Sequence, residues 1–198
     1  MSDTTQSLDQ QAVGAYLSGR LPGFDTAFEV QKFDTGQSNP TFMLKTSAGN
    51  YVLRRKPPGV LLKSAHAVDR EFRVQKALAG SDVPVAKMHL LCEDDDVLGS
   101  AFYVMEHVVG RNITDPSMPD LDNETRAGVM DELNRVLACL HQVDIDAVGL
   151  SDYGPPGNYF ERQLARWTKQ YRASETEVIP EMDELIQALG AAMPADDG

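Results

Sequence analysis

The sequence is poor in cysteine, long apolar runs and positive charge, and each shortage narrows what the chain can be. Cys92 and Cys139 are its 2 cysteines, set in Leu90-Leu91-Cys92 and Leu137-Ala138-Cys139-Leu140. Such thiols read as buried and reduced, and no Cys/His spacing suits zinc. No apolar stretch approaches the roughly 18 to 20 residues a membrane span requires. The opening Met-Ser-Asp-Thr-Thr-Gln lacks the basic and then apolar pattern of a signal peptide. A cytoplasmic protein without membrane association is the expectation. Lys and Arg number 18 against 30 Asp and Glu, for a net charge of −12. That balance excludes nucleic acid as a general partner.

What positive charge there is lies unevenly. Residues 1–90 hold 11 Lys/Arg against 8 Asp/Glu, while residues 91–198 hold 7 against 22. Arg54, Arg55, Lys56 and Lys63 concentrate the cations near one stretch, which suits a local anionic ligand.

That stretch, Phe33 to Lys63, organises the chain. Successive strand residues point to opposite faces, so Val52 and Arg54 share one face while Tyr51, Leu53 and Arg55 share the other. An apolar residue beside a guanidinium offers a flat heteroaromatic base a surface and its phosphates a cation. The preceding turn, Gly36-Gln37-Ser38-Asn39, supplies backbone amides and small polar side chains able to form an anion-binding concavity. The same residues also make an ordinary hairpin turn, and an Arg at a strand end is usually solvated. The residues alone leave both readings open.

In chain order, Ser7 with Gln10 forms a capping-box pattern before the helical spacing of Leu8, Ala12, Val13, Tyr16 and Leu17. Strands are expected over 27–34, 41–46 and 50–55 as an antiparallel meander, with the turn Ser47-Ala48-Gly49. Ser64 is placed to cap a helix running through Val68, Glu71, Phe72 and Leu78 to Gly80. Glu71 sits at the edge of that helix's apolar stripe. Its carboxylate can pair with a cation on the sheet, or remain a solvated acid beside Arg70 and Arg73. Two more strands are expected over 85–92 and 101–108, around Glu93-Asp94-Asp95-Asp96. Those acids lack the alternating spacing of a calcium loop and read as a solvated hairpin tip.

The second half is helical. Val129, Leu133, Leu137 and Leu140 repeat at helical intervals within 123–142, as do Phe160, Leu164, Trp167 and Tyr171 after a Gly/Pro-rich loop. A shorter helix follows Pro180. Trp167 and Tyr171 read as core before they read as a ligand platform.

Phe102-Tyr103-Val104-Met105-Glu106-His107-Val108-Val109-Gly110 resembles the hinge of kinase-like small-molecule phosphotransferases. With Gly-Gln-Ser-Asn-Pro-Thr at 36–41, Tyr-Val-Leu-Arg-Arg-Lys-Pro-Pro-Gly at 51–59, Ala-His-Ala-Val-Asp-Arg-Glu-Phe at 65–72 and Val-Pro-Val at 83–85, the chain resembles the aminoglycoside phosphotransferase family. Within it, the resemblance is to the branch related to the kinase-like module attached to some acyl-CoA dehydrogenases. Leu-Ala-Cys-Leu-His at 137–141, Ala-Val-Gly-Leu at 147–150 and Arg-Gln-Leu-Ala-Arg-Trp at 162–167 fit the same branch, collinear over about residues 25–190.

The resemblance implies an α+β fold. A protein-kinase-like N-lobe, with a five-stranded antiparallel sheet and a helix, would precede the first helices of a C-lobe. The implied layout is an N-terminal helix at 1–24, the N-lobe at 25–109, and a hinge with partial helical C-lobe at 110–198. The resemblance makes Gly36, Gln37, Ser38 and Asn39 the loop over the nucleotide phosphates, and Val52 the roof of the adenine. Arg54 stands in place of the usual strand lysine, Glu71 is its partner, and Met105 guards the back of the pocket. The Glu106 carbonyl and Val108 amide would meet the adenine edge. Arginine keeps the charge and adds a fork suited to phosphate.

The catalytic loop of this family, His-Gly-Asp-x-x-x-x-Asn, and the magnesium-holding Asp after it do not occur in the sequence. His141-Gln-Val-Asp144 has no Asn at the required offset. The resemblance therefore implies a chain cut short, with ATP as ligand, magnesium only with the absent part, no catalytic or metal residue here, and little or no turnover. A small-molecule hydroxyl would be the acceptor in the complete enzyme. The alternatives are a non-catalytic nucleotide-binding or protein-interaction module, or a piece that self-associates through exposed C-lobe helices.

Overall fold

The alternating residues from Thr41 to Arg55 fold as a hairpin within a five-stranded antiparallel sheet. The computed structural model of the chain describes residues 8–25, 27–33, 39–57, 66–155 and 157–194. The chain forms two compact units, 1–150 and 151–198. The first contains α1 (Gln10–Leu17), β1 (Glu29–Lys32), β2 (Thr41–Thr46), β3 (Gly49–Arg55), α2 (Val68–Leu78), β4 (Met88–Cys92), α3 (Asp95–Leu98), β5 (Phe102–Glu106) and α4 (Asn123–His141). The strands lie in the order β1-β2-β3-β5-β4, every neighbouring pair antiparallel. The expected mixed fold, a five-stranded antiparallel sheet with a helix packed on it, is present.

The β2–β3 hairpin is closed by Ser47 and Ala48. Thr46 Oγ1 donates to the Gly49 carbonyl at 2.6 Å and accepts from the Ala48 amide at 3.2 Å. Gly49 takes φ 138°, a backbone conformation that side chains oppose. The turn sets the register of β3, and with it the face each of its residues occupies.

On one face of the sheet, Phe42, Leu44, Leu53, Cys92, Phe102 and Val104 form a core with Val13 and Leu17 of α1 and with Leu21, Phe24 and Phe28. The helix approaches so closely that a Cβ on Gly14 would stand 3.3 Å from the Phe28 ring. The cap of α1 differs from the expected box. Ser7 lies outside the described residues, Asp9 accepts from the Ala12 amide at 3.0 Å, and Gln10 donates to the Phe28 carbonyl.

The opposite face is divided. α2 packs on β4 and β5, seating Val68 and Phe72 against Tyr103, with Met88, Leu91 and Met105 around them. Thr41, Val52 and Arg54, on the same face but on β2 and β3, line a cavity instead. Ser64, the expected cap of α2, lies outside the described residues, and Ala67 holds the N-cap position with no side-chain bond.

β1, β4 and β5 are shorter than expected, and the acidic turn is more ordered than a hairpin tip. Asp94 Oδ1 accepts from the Asp96 amide at 3.0 Å and starts the single turn of α3, which ends at Gly99. Acids at a helix N-terminus meet its positive end, so this sequence favours the turn. Glu93 to Asp96 remain exposed, as a solvated tip requires.

The helical spacing of α4 produces one long helix, capped by Asp122, which accepts from the Thr125 amide at 2.8 Å. Its apolar stripe is not buried: Met130, Leu133, Leu137 and Leu140 are exposed, and Cys139 is half-buried.

In the second unit, α5 (Tyr159–Ser174) and α6 (Pro180–Ala191) are joined by Arg172, which pairs with Asp183 and, at 3.2 Å, with Glu175. Phe160, Leu164, Trp167 and Leu189 line an apolar groove of 300 Å³. Trp167 is thus open to solvent where its spacing suggested core. Among the described residues no helix is long and apolar enough to cross a membrane.

Candidate functional site

Antiparallel register aligns the site in two rows. Met43, Val52 and Met105 form one across β2, β3 and β5; Thr41, Arg54 and Tyr103 form the next. The first row is apolar. The second carries a guanidinium flanked by two hydroxyls.

Glu71 reaches this second row from α2. Its Oε2 accepts from Arg54 Nε at 2.8 Å and from the Tyr103 hydroxyl at 3.0 Å, while Oε1 accepts from Asn39 Nδ2 at 3.0 Å. Arg54 Nη1 donates to Thr41 Oγ1 at 3.0 Å and to the Asn39 carbonyl at 3.5 Å. The side chains of Arg54 and Glu71 are 26% and 34% exposed. Partial exposure keeps the pair's own contribution to stability small, since water screens it. Its geometric effect is larger: the carboxylate fixes a cation whose Nη2 has no hydrogen-bond partner among the described residues. A guanidinium so held retains donors for an anion.

The cavity beside this cation measures 670 Å³ and is lined by Val52, Met105, Thr41, Arg54 and the segment from Glu106 to Asn112. Phe33 and His107 stand at it with ring centroids 6.5 Å apart and planes at 28°. An apolar floor, an aromatic wall and one fixed cation suit a planar ligand that carries negative charge.

Of the residues singled out in the sequence, Val52, Arg54, Met105, Glu106 and Val108 line this cavity. Glu71 and Asn39 stand behind Arg54. Gly36, Gln37 and Ser38 lie outside the described residues. Arg55, grouped by sequence with the local cations, is separated from them by the strand's alternation: it is 5% exposed on the other face, and burial pushes its pKa down. Thr41, Tyr103, Phe33 and His107 were not foreseen. Register with Arg54 supplied a signal for the first two, whereas nothing local in sequence joins Phe33 to a ring 74 positions away.

Tyr103 is 1% exposed. Burial first, and then the Glu71 carboxylate beside it, push its phenol up to about 12 from 10.0. Because the folded state holds this proton more tightly than the unfolded chain, the associated stability is whole below pH 10 and is lost as pH rises from there through 12. The loss is on the order of 2–3 kcal/mol. Urea unfolding across that interval should therefore show a steeper fall for the wild-type chain than for Tyr103→Phe, which has no phenol to ionise. Parallel falls would refute the assignment.

Residues 29–198 match the family described as "Phosphotransferase enzyme family". Acyl-CoA dehydrogenase family member 10 of Mus musculus is 45% identical over 191 residues, covering 96% of this chain and 18% of that protein. Acyl-CoA dehydrogenase family member 11 of Homo sapiens is 42% identical over 193 residues, covering 96% of this chain and 25% of that protein. The chain thus spans a quarter or less of the length of these two relatives. A solved structure from Ralstonia eutropha JMP134, described as a "putative aminoglycoside phosphotransferase", superposes with a TM-score of 0.80 at 50% identity, over 96% of this chain and 55% of that one.

Proposed function

Because the chain belongs to the phosphotransferase enzyme family, we propose that it supplies the nucleotide-binding part of a small-molecule kinase, with ATP as phosphoryl donor and a hydroxyl group as acceptor. The observation that carries this reading is Arg54, held by Glu71 at 2.8 Å in the wall of a 670 Å³ cavity beside Val52 and Met105. The adenine lies against Val52 with Met105 behind it, and its edge meets the Glu106 carbonyl and the Val108 amide. Arg54 faces the phosphates. The loop from Gly36 to Asn39 closes over them, a role that rests on sequence alone, with the Asn39 side chain itself standing behind Arg54.

In the transfer, the acceptor oxygen bonds to the γ-phosphorus as the bond from that phosphorus to the bridging oxygen of ADP breaks, and the hydroxyl proton passes to a base. Positioning and charge offset supply most of the catalysis in such reactions, and those are the shares these residues fill. Among the described residues no group of three or more His, Cys, Asp or Glu gathers, and the sequence has no His-Gly-Asp-x-x-x-x-Asn. With no such cluster among the described residues and no such loop in the sequence to carry the base, little or no turnover is expected from this polypeptide. The names of the relatives favour a hydroxyacyl thioester among candidate acceptors. Calorimetric titration with ATP tests the reading: saturable binding in the micromolar range is expected, and no binding at millimolar ATP would end it.

The open apolar stripe of α4 favours a second role, as an interaction module. Contiguous exposed apolar surface on a folded chain marks a contact site. Sedimentation over a hundredfold range of concentration should show self-association that Leu133→Asp with Leu137→Asp abolishes. A wild-type chain that stays monomeric throughout would remove this role.

A further inference from the structure

Asn39 is buried within the site, at 2% exposure. Every polar group of its side chain is committed: Nδ2 donates to Glu71 Oε1 at 3.0 Å, and Oδ1 lies 2.8 Å from His66 Nδ1. Its carbonyl accepts from Thr41 Oγ1 at 3.0 Å and from Arg54 Nη1 at 3.5 Å. One side chain and one carbonyl thus touch both members of the ion pair.

The direction of these bonds follows from chemistry. A carboxylate offers only acceptors, so the amide nitrogen of Asn39 must face Glu71 and its oxygen must face His66. His66 Nδ1 then carries a proton and donates. His66 also holds φ 60°, a backbone region that non-glycine residues rarely adopt, at the entry to α2. Strain of this kind persists where surrounding bonds over-determine it, and it gathers at working sites.

We propose that Asn39 is a positioning residue, which sets the Arg54 guanidinium through Glu71, with His66 fixing the orientation of its amide. This rests on the nucleotide reading above and adds to it: Asn39 acts on phosphate through Arg54. Removing the amide leaves Glu71 Oε1 without its donor. The carboxylate then turns, and the guanidinium turns with it. His66→Gly removes the ring and relieves the backbone strain, so it separates positioning from stability.

The test titrates ATP and adenosine into the full chain, as wild type, Asn39→Ala, His66→Gly and Arg54→Ala, and as Asn39→Ala combined with Arg54→Ala. Asn39→Ala is expected to weaken ATP about 5- to 10-fold and His66→Gly about 2- to 5-fold, as loss of one hydrogen bond does, with adenosine unchanged. On the Arg54→Ala background the added Asn39→Ala should have almost no effect, because the group it positions is gone. An equal loss on both backgrounds, or an equal loss for adenosine, would overturn the proposal. A wild-type chain that binds neither ligand would instead sink the nucleotide reading. The positioning is still read without ligand, from the nitrogen-edited proton signal of Arg54 Nε–H. That signal should lose its exchange protection in Asn39→Ala and His66→Gly, and unaltered protection in both would refute the proposal.

Discussion

Arg54→Ala is expected to weaken ATP binding about 10- to 100-fold while leaving the fold intact, since a hydrogen bond to a charged group is worth about 1.5–3 kcal/mol. The side chain lines the cavity from the centre of the sheet, and Glu71 holds its Nε at 2.8 Å. Its loss removes the cation that Glu71 holds at the cavity wall. Stability should change little, because Glu71 keeps the donors of Asn39 and Tyr103 and remains partly open to water. Arg54→Lys should fall between the two: the charge survives, but an ammonium cannot hold Glu71 and reach outward with a planar fork. Calorimetry with ATP and adenosine checks the expectation. Equal ATP affinity in Arg54→Ala and wild type would remove the phosphate role from this residue.

The neighbouring position should behave in the opposite way. Leu53 is 0% exposed, on the face packed against α1, with Phe42 and Val104 as its cross-strand neighbours. Leu53→Ala deletes buried atoms where packed rings restrict collapse, and is expected to destabilise the first unit by about 3–4 kcal/mol. Urea unfolding measures this as a lower midpoint with an unchanged slope. ATP affinity of the folded fraction should be preserved. A loss below about 1 kcal/mol would show that the site relaxes as a surface position does.

Much of this arrangement was legible in the sequence because strand alternation is a short-range rule. Residues 51–55 divide between two faces by counting, and the structure puts Val52 and Arg54 on the cavity side and Leu53 and Arg55 opposite. The helical intervals of α2 and α4 were equally local. Caps were less legible. Gln10 finds the Phe28 carbonyl, 18 residues on, where a box would have used its own turn. The acidic run became a helical turn through Asp94, whose side chain competes for a nearby amide. Least legible were contacts across long separations. Asn39 meets Glu71 and His66 across 32 and 27 residues, and its place in a turn-like string conceals that its side chain is buried. The α4 stripe shows the converse difficulty: periodicity reports an apolar face without reporting what, if anything, covers it.

Val52-Leu53-Arg54-Arg55 is almost self-similar under a shift of one position, with an aliphatic pair followed by a guanidinium pair. Sliding β3 by a single step would still place an aliphatic group and an arginine on either side of the sheet, so polarity alone discriminates poorly between the two frames. The choice falls to the two-residue hairpin at Ser47 and Ala48, which works as a molecular ruler. A slip of β3 by one residue toward its N-terminus would bring Arg55 to the place of Arg54 at the cavity and strand Arg54 in the place of Leu53, between Phe42 and Val104.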